Sequence, residues 1–375
     1  MINRHTDVEP APHRGALPPL PIIDWSRISQ QAPTPVALHD PAPTASLPKA
    51  DIVVITWTSA EWSALDHVFL NSNTVRHHYS HAWESAWHLY NLGAPASDPN
   101  YAPLWGYYRL VRITNAAGAP VDVLLFKADA HLAYAPWIDG LSQMMTHILE
   151  DARPEYVYSI GTAGGTSDSE RLGDTVITNA GHLRLEQAEN THVSYNHTTV
   201  SCDDWFPSFT LVSQVEQQLL YPLNHVVNAF ELTYLIRRLH QRNVASRLFG
   251  YDDLVNAPLQ PQNLTTPRGL NKSNVALLTT DTYFIASGDD SAQYSALEMD
   301  DAVIGHVAAR HNAKFAFVRN ISDPLVPASN RTGSTPIPHD VRKDWSGLIY
   351  EDFGLYTSFN GALLTWATIA GGTAA

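Results

Sequence analysis

Two acidic clusters lie one helix and one strand apart. The first is Glu298-Met299-Asp300-Asp301. A run of small residues follows, then Phe315-Ala316-Phe317-Val318-Arg319-Asn320-Ile321, which ends at Ser322-Asp323-Pro324. A helix and a strand packed back to back bring their far ends together, so Asp300 and Asp323 are expected to face one cavity. Paired carboxylates at the carboxyl end of a strand suit proton-transfer chemistry. Plainer roles exist for each residue. Asp-Pro is a common turn pair, Asp300 and Asp301 would favour a helix N-terminus through its macrodipole, and Met299 would fill a core. A third acid, Glu61, follows a short apolar run in Thr58-Ser59-Ala60-Glu61, and this spacing also fits a capping box. A Gly-rich piece, Gly161-Thr162-Ala163-Gly164-Gly165, would let backbone amides approach a ligand, or would simply form a tight turn.

These residues need a scaffold whose strand ends meet. Ile52-Val53-Val54-Ile55 is a continuous apolar run suited to a strand covered on both faces, and a helix through about Leu70 follows it. Tyr107 to Ile113 and Val121 to Phe126 read as strands around the turn Asn115-Ala116-Ala117-Gly118. A helix is expected over about 137–151, strands over Tyr156 to Ile160, Leu172 to Ile177 and Asn274 to Thr279, and a helix over about 226–241. Helix 301–312 shows Val303/Val307 and Ile304/Ala308 at i,i+4 spacing. The strand Phe315 to Ile321 follows it, and 345–369 reads as helical. Strands alternating with helices imply an α/β fold, a three-layer sandwich with a mixed, mostly parallel central sheet. Ten of the 25 prolines fall in residues 1–49, which removes backbone donors and blocks helix. That stretch is expected to be an extension to a body spanning 50–375, with insertions at about 71–105 and 181–270.

The formal charge of −14, from 37 acidic and 23 basic residues, argues against tracking nucleic-acid phosphates. Cys202 is the only cysteine, which excludes an internal disulfide and points to a reducing compartment. No apolar run reaches the length of a membrane span, and the first residues lack a charged-then-apolar signal pattern. A cytoplasmic protein without membrane or nucleic-acid partners is the expectation. The histidines of His77-His78-Tyr79-Ser80-His81 do not have metal-motif spacing, so no metal is expected there.

In order, these motifs resemble the nucleoside phosphorylase/nucleosidase superfamily, most of all its purine-cleaving branches such as the methylthioadenosine/S-adenosylhomocysteine nucleosidases. Ile160 to Gly165 with Gly173-Asp174 resembles that family's Gly-rich strand end and following "GD" strand. Glu298-Met299-Asp300 resembles its Glu-Met-Glu ribose motif, and Val318-Arg319-Asn320-Ile321-Ser322-Asp323 its Val-Arg-x-Ile-Ser-Asp motif. The resemblance covers roughly 51–180 and 274–324.

The resemblance implies cleavage of a purine N-glycosidic bond without a cofactor. Asp323 would donate a proton to N7 of the leaving base. Asp300 would hold the ribose hydroxyls beside Glu298, and Met299 would pack beneath the sugar. Glu61 would polarise the attacking water. Thr162, Ala163 and Gly164 would line the sugar or nucleophile side. Tyr283 or Phe284 would stack on the purine. Asp281 would be structural, and Arg319 a packed salt-bridge partner. Relatives assemble, so a homo-oligomer is implied. Two departures stand out. Asp300 is one methylene shorter than the family's Glu. Lys127-Ala128-Asp129-Ala130-His131-Leu132 replaces a Gly-rich turn, and no role follows for its polar residues. Three readings result: a hydrolytic purine nucleosidase, a phosphate-dependent phosphorylase, and a nucleoside- or nucleotide-sensing module without turnover.

Overall fold

The structure, a computed structural model, describes residues 19–70, 73, 75, 86–96, 103–167, 169–221, 267–282, 291–323, 325 and 336–372. Among these residues one mixed sheet is formed by β1 (Thr34–Pro35), β2 (Ile52–Thr56), β3 (His88–Tyr90), β4 (Gly106–Thr114), β5 (Pro120–Ala128), β6 (Tyr156–Gly164), β7 (Thr175–Thr178), β8 (Ala180–Arg184), β9 (Thr199–Ser201), β10 (Gly269–Asn271), β11 (Leu277–Thr280), β12 (Leu297–Glu298) and β13 (Lys314–Asp323). The principal helices are α1 (Ser59–Phe69), α2 (Trp137–Ala152), α3 (Asp301–Arg310) and α4 (His339–Ala370).

At the centre β5, β2, β6 and β13 run parallel in that order. A second parallel group, β8, β11 and β12, joins β6 where Leu297 lies opposite Gly164. Antiparallel neighbours extend the sheet, with β4 on β5 and β7 on β13. Every residue of β2 is buried, as are all but the end residues of β13. Strands covered on both faces must be apolar throughout, which is why they read as continuous hydrophobic runs. Helix α1 packs on α4 and α2 packs on α3, and each pair also reaches the central strands. The result is a helix–sheet–helix sandwich, parallel at its centre.

Part of the proline-rich N-terminal stretch is docked. Leu20, Ile23, Trp25 and Ile28 are buried. The Trp25 ring meets Trp366 of α4 at 4.4 Å, and the Pro21 carbonyl bonds the His67 ring of α1 at 2.9 Å. The 181–270 segment starts inside the sheet, since β8 pairs with β11, and it ends there with β10 on β7.

Some element ends differ from expectation. β6 continues through Gly161–Gly164, paired with Arg319–Asp323 of β13, so the Gly-rich piece is strand and not turn. β7 starts only at Thr175, because Gly173 adopts φ +84° and Asp174 closes a turn onto Arg171. β11 starts at Leu277, after a left-handed residue at Asn274. The expected helix at 226–241 and the His77–His81 stretch lie outside the described residues. No helix among the described residues is long and apolar enough to cross a membrane.

Candidate active site

Parallel strands place their carboxyl ends on one edge, where open α/β sheets bind ligands. Thr56, Lys127, Gly164 and Asp323 stand at or next to the ends of β2, β5, β6 and β13, and the acidic residues gather around them.

Glu61 enters this edge from the first turn of α1. Its Oε2 accepts from Thr56 Oγ1 at 2.9 Å, Trp57 N at 3.1 Å and Thr58 N at 2.9 Å. Thr58 Oγ1 in turn accepts from Glu61 N, completing a capping box. Oε1 turns the other way and accepts from Thr162 N at 2.7 Å and Thr162 Oγ1 at 2.9 Å. One carboxylate thus caps the helix, as the spacing allowed, and also meets the Gly-rich strand end. With five donors on two oxygens, its roughly four lone-pair positions are filled. The approach depends on Gly161, where an added Cβ would lie 2.7 Å from Glu61 Oε1 and would also collide with Arg319 Nη1.

Arg319, on β13, is the cation at the centre. Its Nε donates to Asp301 Oδ2 at 2.7 Å, and its Nη2 donates to Asp301 Oδ1 and, at 3.1 Å, to Ser159 Oγ. The same Nη2 lies 3.5 Å from Glu298 Oε2, and the guanidinium sits over the Trp57 ring at 5.6 Å. Burial alone would lower its pKa, but Asp301 and Glu298 outweigh it and hold the guanidinium firmly charged. Burial pushes Glu298 up to about 7, with Asp301 adding to the rise and Arg319 opposing it. Burial likewise raises Asp301. Glu298 is the true cap of α3: its Oε2 accepts from Asp300 N at 2.6 Å and Asp301 N at 2.9 Å. Thr279 Oγ1 donates to Glu298 and accepts from Ala302 N at 2.9 Å.

Asp300 occupies the N-cap position of α3 without a side-chain cap bond. Its carboxylate instead meets the turn after β5. Oδ1 accepts from Leu132 N at 3.2 Å, and Oδ2 lies 3.1 Å from His131 Nε2. Burial raises the Asp300 pKa well above the usual carboxylate range, with Glu298 next in effect. The turn is braced. Leu132 O accepts from Asn190 Nδ2 at 3.1 Å, and Asn190 also bonds Asp281 Oδ2 at 3.0 Å and Ile138 N at 3.0 Å. Trp57 Nε1 donates to Ala130 O at 3.0 Å. Asp281 further accepts from Glu186 N and Gln187 N, which is scaffold work.

Asp323 ends β13 and is held by hydroxyls. Ser322 Oγ donates to Oδ1 at 2.8 Å, and Ser346 Oγ of α4 donates to Oδ2 at 2.9 Å. An added Cβ at Gly164 would lie 3.2 Å from Asp323 Oδ2 and 3.6 Å from Leu297 Cβ. The Gly164 backbone therefore stands between Asp323 and the strand that carries Glu298. A hydroxyl both donates and accepts, so this environment satisfies the carboxyl group with or without a proton.

Glu61, Thr162, Glu298, Asp300 and Asp323 thus collect at the strand ends. Ala163 is buried, with its carbonyl 3.5 Å from Ser322 Oγ, and Met299 is half-buried. Tyr283 and Phe284 lie outside the described residues. Sequence reasoning missed three contributors. His131 and Leu132 sit far from Asp300 in the chain, and only the unusual polar run at 127–132 signalled them. Ser346 had no signal, because a serine in an amphipathic helix is unremarkable. Among the described residues no group of His, Cys, Asp and Glu is arranged to hold a metal ion.

No family model matches the chain, and no curated protein does. Solved structures similar in outline include a 5'-methylthioadenosine/S-adenosylhomocysteine nucleosidase from Neisseria meningitidis in complex with methylthio-immucillin-A, at 13% identity and a TM-score of 0.43, covering 85% of this chain and 98% of that one. An S-adenosylhomocysteine nucleosidase from Streptococcus pyogenes is 12% identical with a TM-score of 0.44, covering 87% and 98%. A futalosine hydrolase mutant of Helicobacter pylori is 9% identical with a TM-score of 0.45, covering 86% and 98%. These are likenesses of outline alone.

Proposed function

We propose that the chain hydrolyses the N-glycosidic bond of a purine nucleoside or nucleotide of the adenine type, releasing free base and sugar. The observation that carries this reading is Asp323, fixed at the end of β13 by two serine hydroxyls that suit both forms of a proton donor. Breaking the C1′–N9 bond leaves the electron pair on the purine. Asp323 supplies the proton to N7, and positive charge develops on the sugar. Water adds to C1′ and gives up a proton. Glu61 Oε1 receives it once the Thr162 hydroxyl turns away, with the Thr162 amide staying in place. Asp300 holds the sugar hydroxyls through acceptor positions beside the one that the Leu132 amide fills.

Water is favoured over phosphate by the local charge. Glu61, Glu298, Asp300 and Asp301 surround Arg319, whose guanidinium is already committed to Asp301. An anionic nucleophile would enter an acid-rich pocket whose central guanidinium is already engaged. The resemblance of the motifs at 298–300 and 318–323 to purine-cleaving enzymes supports the purine.

The test is to incubate purified protein with adenosine, methylthioadenosine, AMP and ATP, with and without inorganic phosphate. Free base and free sugar in phosphate-free buffer are expected. Strict phosphate dependence with a sugar 1-phosphate product overturns hydrolysis. Binding without base release, in wild type and Asp323→Asn alike, supports a sensing module instead.

A further inference from the structure

Arg342 stands near the start of α4 and takes no part in the chemistry proposed above. It is 8% exposed, and among the described residues its Nε and Nη1 are enclosed without a hydrogen-bond partner. Arg319 offers the contrast, since its buried guanidinium is engaged by Asp301 and Ser159. Enclosing a charged donor with its N–H groups unmet costs more than enclosing a neutral one, and buried polar groups in native proteins nearly always have partners. Burial lowers the Arg342 pKa, yet an arginine stays protonated at neutral pH. A buried cation with two unmet donors calls for an anion from outside the chain.

The fold sets that anion beside the acid at the end of β13. Ser346, which donates to Asp323 Oδ2 at 2.9 Å, follows Arg342 by four residues, so the two share one face of α4. Ile349 and Phe353 continue this face and are buried. At its far end α4 meets the opposite edge of the sheet, where Ala370 O accepts from Ala116 N at 2.7 Å, ahead of β5. The helix therefore begins at the carboxyl edge, and Arg342 stands one turn, about 5.4 Å, beyond Ser346. Side chains on a helix lean toward its N-terminus, which carries the guanidinium further past Asp323. The first amides of α4 point the same way, and no side chain caps them. A helix start with a free arginine fork supplies more donors than a carboxylate can accept and suits a phosphate.

In an anti nucleotide the N7–C8 edge of the purine and the 5′-carbon lie on the same side of the glycosidic bond. A donor cluster just past the residue that meets N7 is thus placed for the 5′-substituent. We propose that Arg342 binds the 5′-phosphate of the substrate, so that the chain prefers an adenine nucleotide to the nucleoside. The inference rests on the nucleosidase reading for the placing of the base, and it goes beyond that reading in naming the 5′-group and the residue that selects it.

The experiment compares wild type, Arg342→Met and Arg342→Lys on AMP and adenosine. A hydrogen bond to a charged group is worth about one to two powers of ten in an equilibrium constant. Wild type should release adenine from AMP with a kcat/KM at least about 10-fold above that for adenosine. Arg342→Met should lower the value for AMP about 10- to 100-fold, chiefly through KM, and leave that for adenosine within a few-fold of wild type. Arg342→Lys keeps the charge without the fork and should recover part of the loss. Matching denaturation midpoints confirm that the variants fold; should Arg342→Met not fold, Arg342→Lys carries the comparison with a smaller loss of the same sign. Equal handling of AMP and adenosine by wild type, or equal losses on both in the variants, overturns the inference, while adenine release from adenosine leaves the nucleosidase reading standing. If wild type releases no base from either, calorimetry with AMP and adenosine decides. Tighter binding of AMP that Arg342→Met abolishes supports the phosphate site without turnover. Equal binding of the two, or of neither, overturns it.

Discussion

Replacing Arg319 by methionine tests the buried charge cluster on which the site is built. Methionine fills much of the arginine stem's volume and removes the guanidinium, so packing changes little and charge changes fully. The structure shows what is stranded. Asp301 loses both bonds from the guanidinium, Ser159 loses one at 3.1 Å, and Glu298 loses a cation 3.5 Å away. Breaking a buried pair by removing one partner costs about 3–5 kcal/mol, because a charge is left uncompensated. The cost must depend on pH. Without the cation, the folded-state pKa values of Asp301 and Glu298 rise further above their unfolded values. A group with a raised folded pKa contributes stability below its unfolded pKa and loses it as pH rises through the folded one. The deficit of Arg319→Met relative to wild type should therefore be largest near pH 8. It should shrink toward about 1–2 kcal/mol near pH 5, where neutral carboxyls leave only hydrogen bonds to lose. Urea denaturation of both proteins across this range measures it. A deficit below about 1 kcal/mol at pH 8, or one independent of pH, would show that the carboxylates do not rely on Arg319.

The same residues give two further expectations. Glu298 is held at about 7 against an ordinary 4.5, so the stability difference between wild type and Glu298→Gln should fall as pH rises from 4.5 to about 7 and level off beyond. Denaturation midpoints of the pair at half-unit pH steps check this, and a rising difference would contradict the sign. Gly161→Ala places a methyl 2.7 Å from Glu61 Oε1 and against Arg319, both of which are tied down. A loss of about 1–3 kcal/mol is expected, with lower kcat/KM as Thr162 is displaced. A variant with wild-type melting and activity would mean that the cluster is softer than its bonds suggest.

The central strands were legible because burial on both faces forces unbroken apolar runs, as in Ile52–Thr56 and Phe315–Ile321. The Gly-rich piece was legible as a motif and not as a conformation. Its glycines suggest a turn, yet pairing with β13 keeps it extended, and Gly161 serves to admit two side chains. Glu61 was legible only as a choice between cap and site, since a sequence cannot show that one oxygen turns each way. The motif acids were visible locally, but their partners were not. His131, Leu132 and Ser346 reach Asp300 and Asp323 through tertiary packing across 168 residues or 23, and no short-range pattern records such contacts.

Protonation of a departing purine by Asp323 is the central claim. The most direct measurement is the rate of adenine release from the best ribonucleoside substrate in phosphate-free buffer, for wild type and Asp323→Asn, with folding of both confirmed by matching denaturation midpoints. Loss of general acid catalysis is worth about 10²–10⁴-fold, so the variant should release adenine slower by that factor while still binding the nucleoside. Release within a few-fold of wild type would remove Asp323 from the mechanism and, with it, the reading of the site.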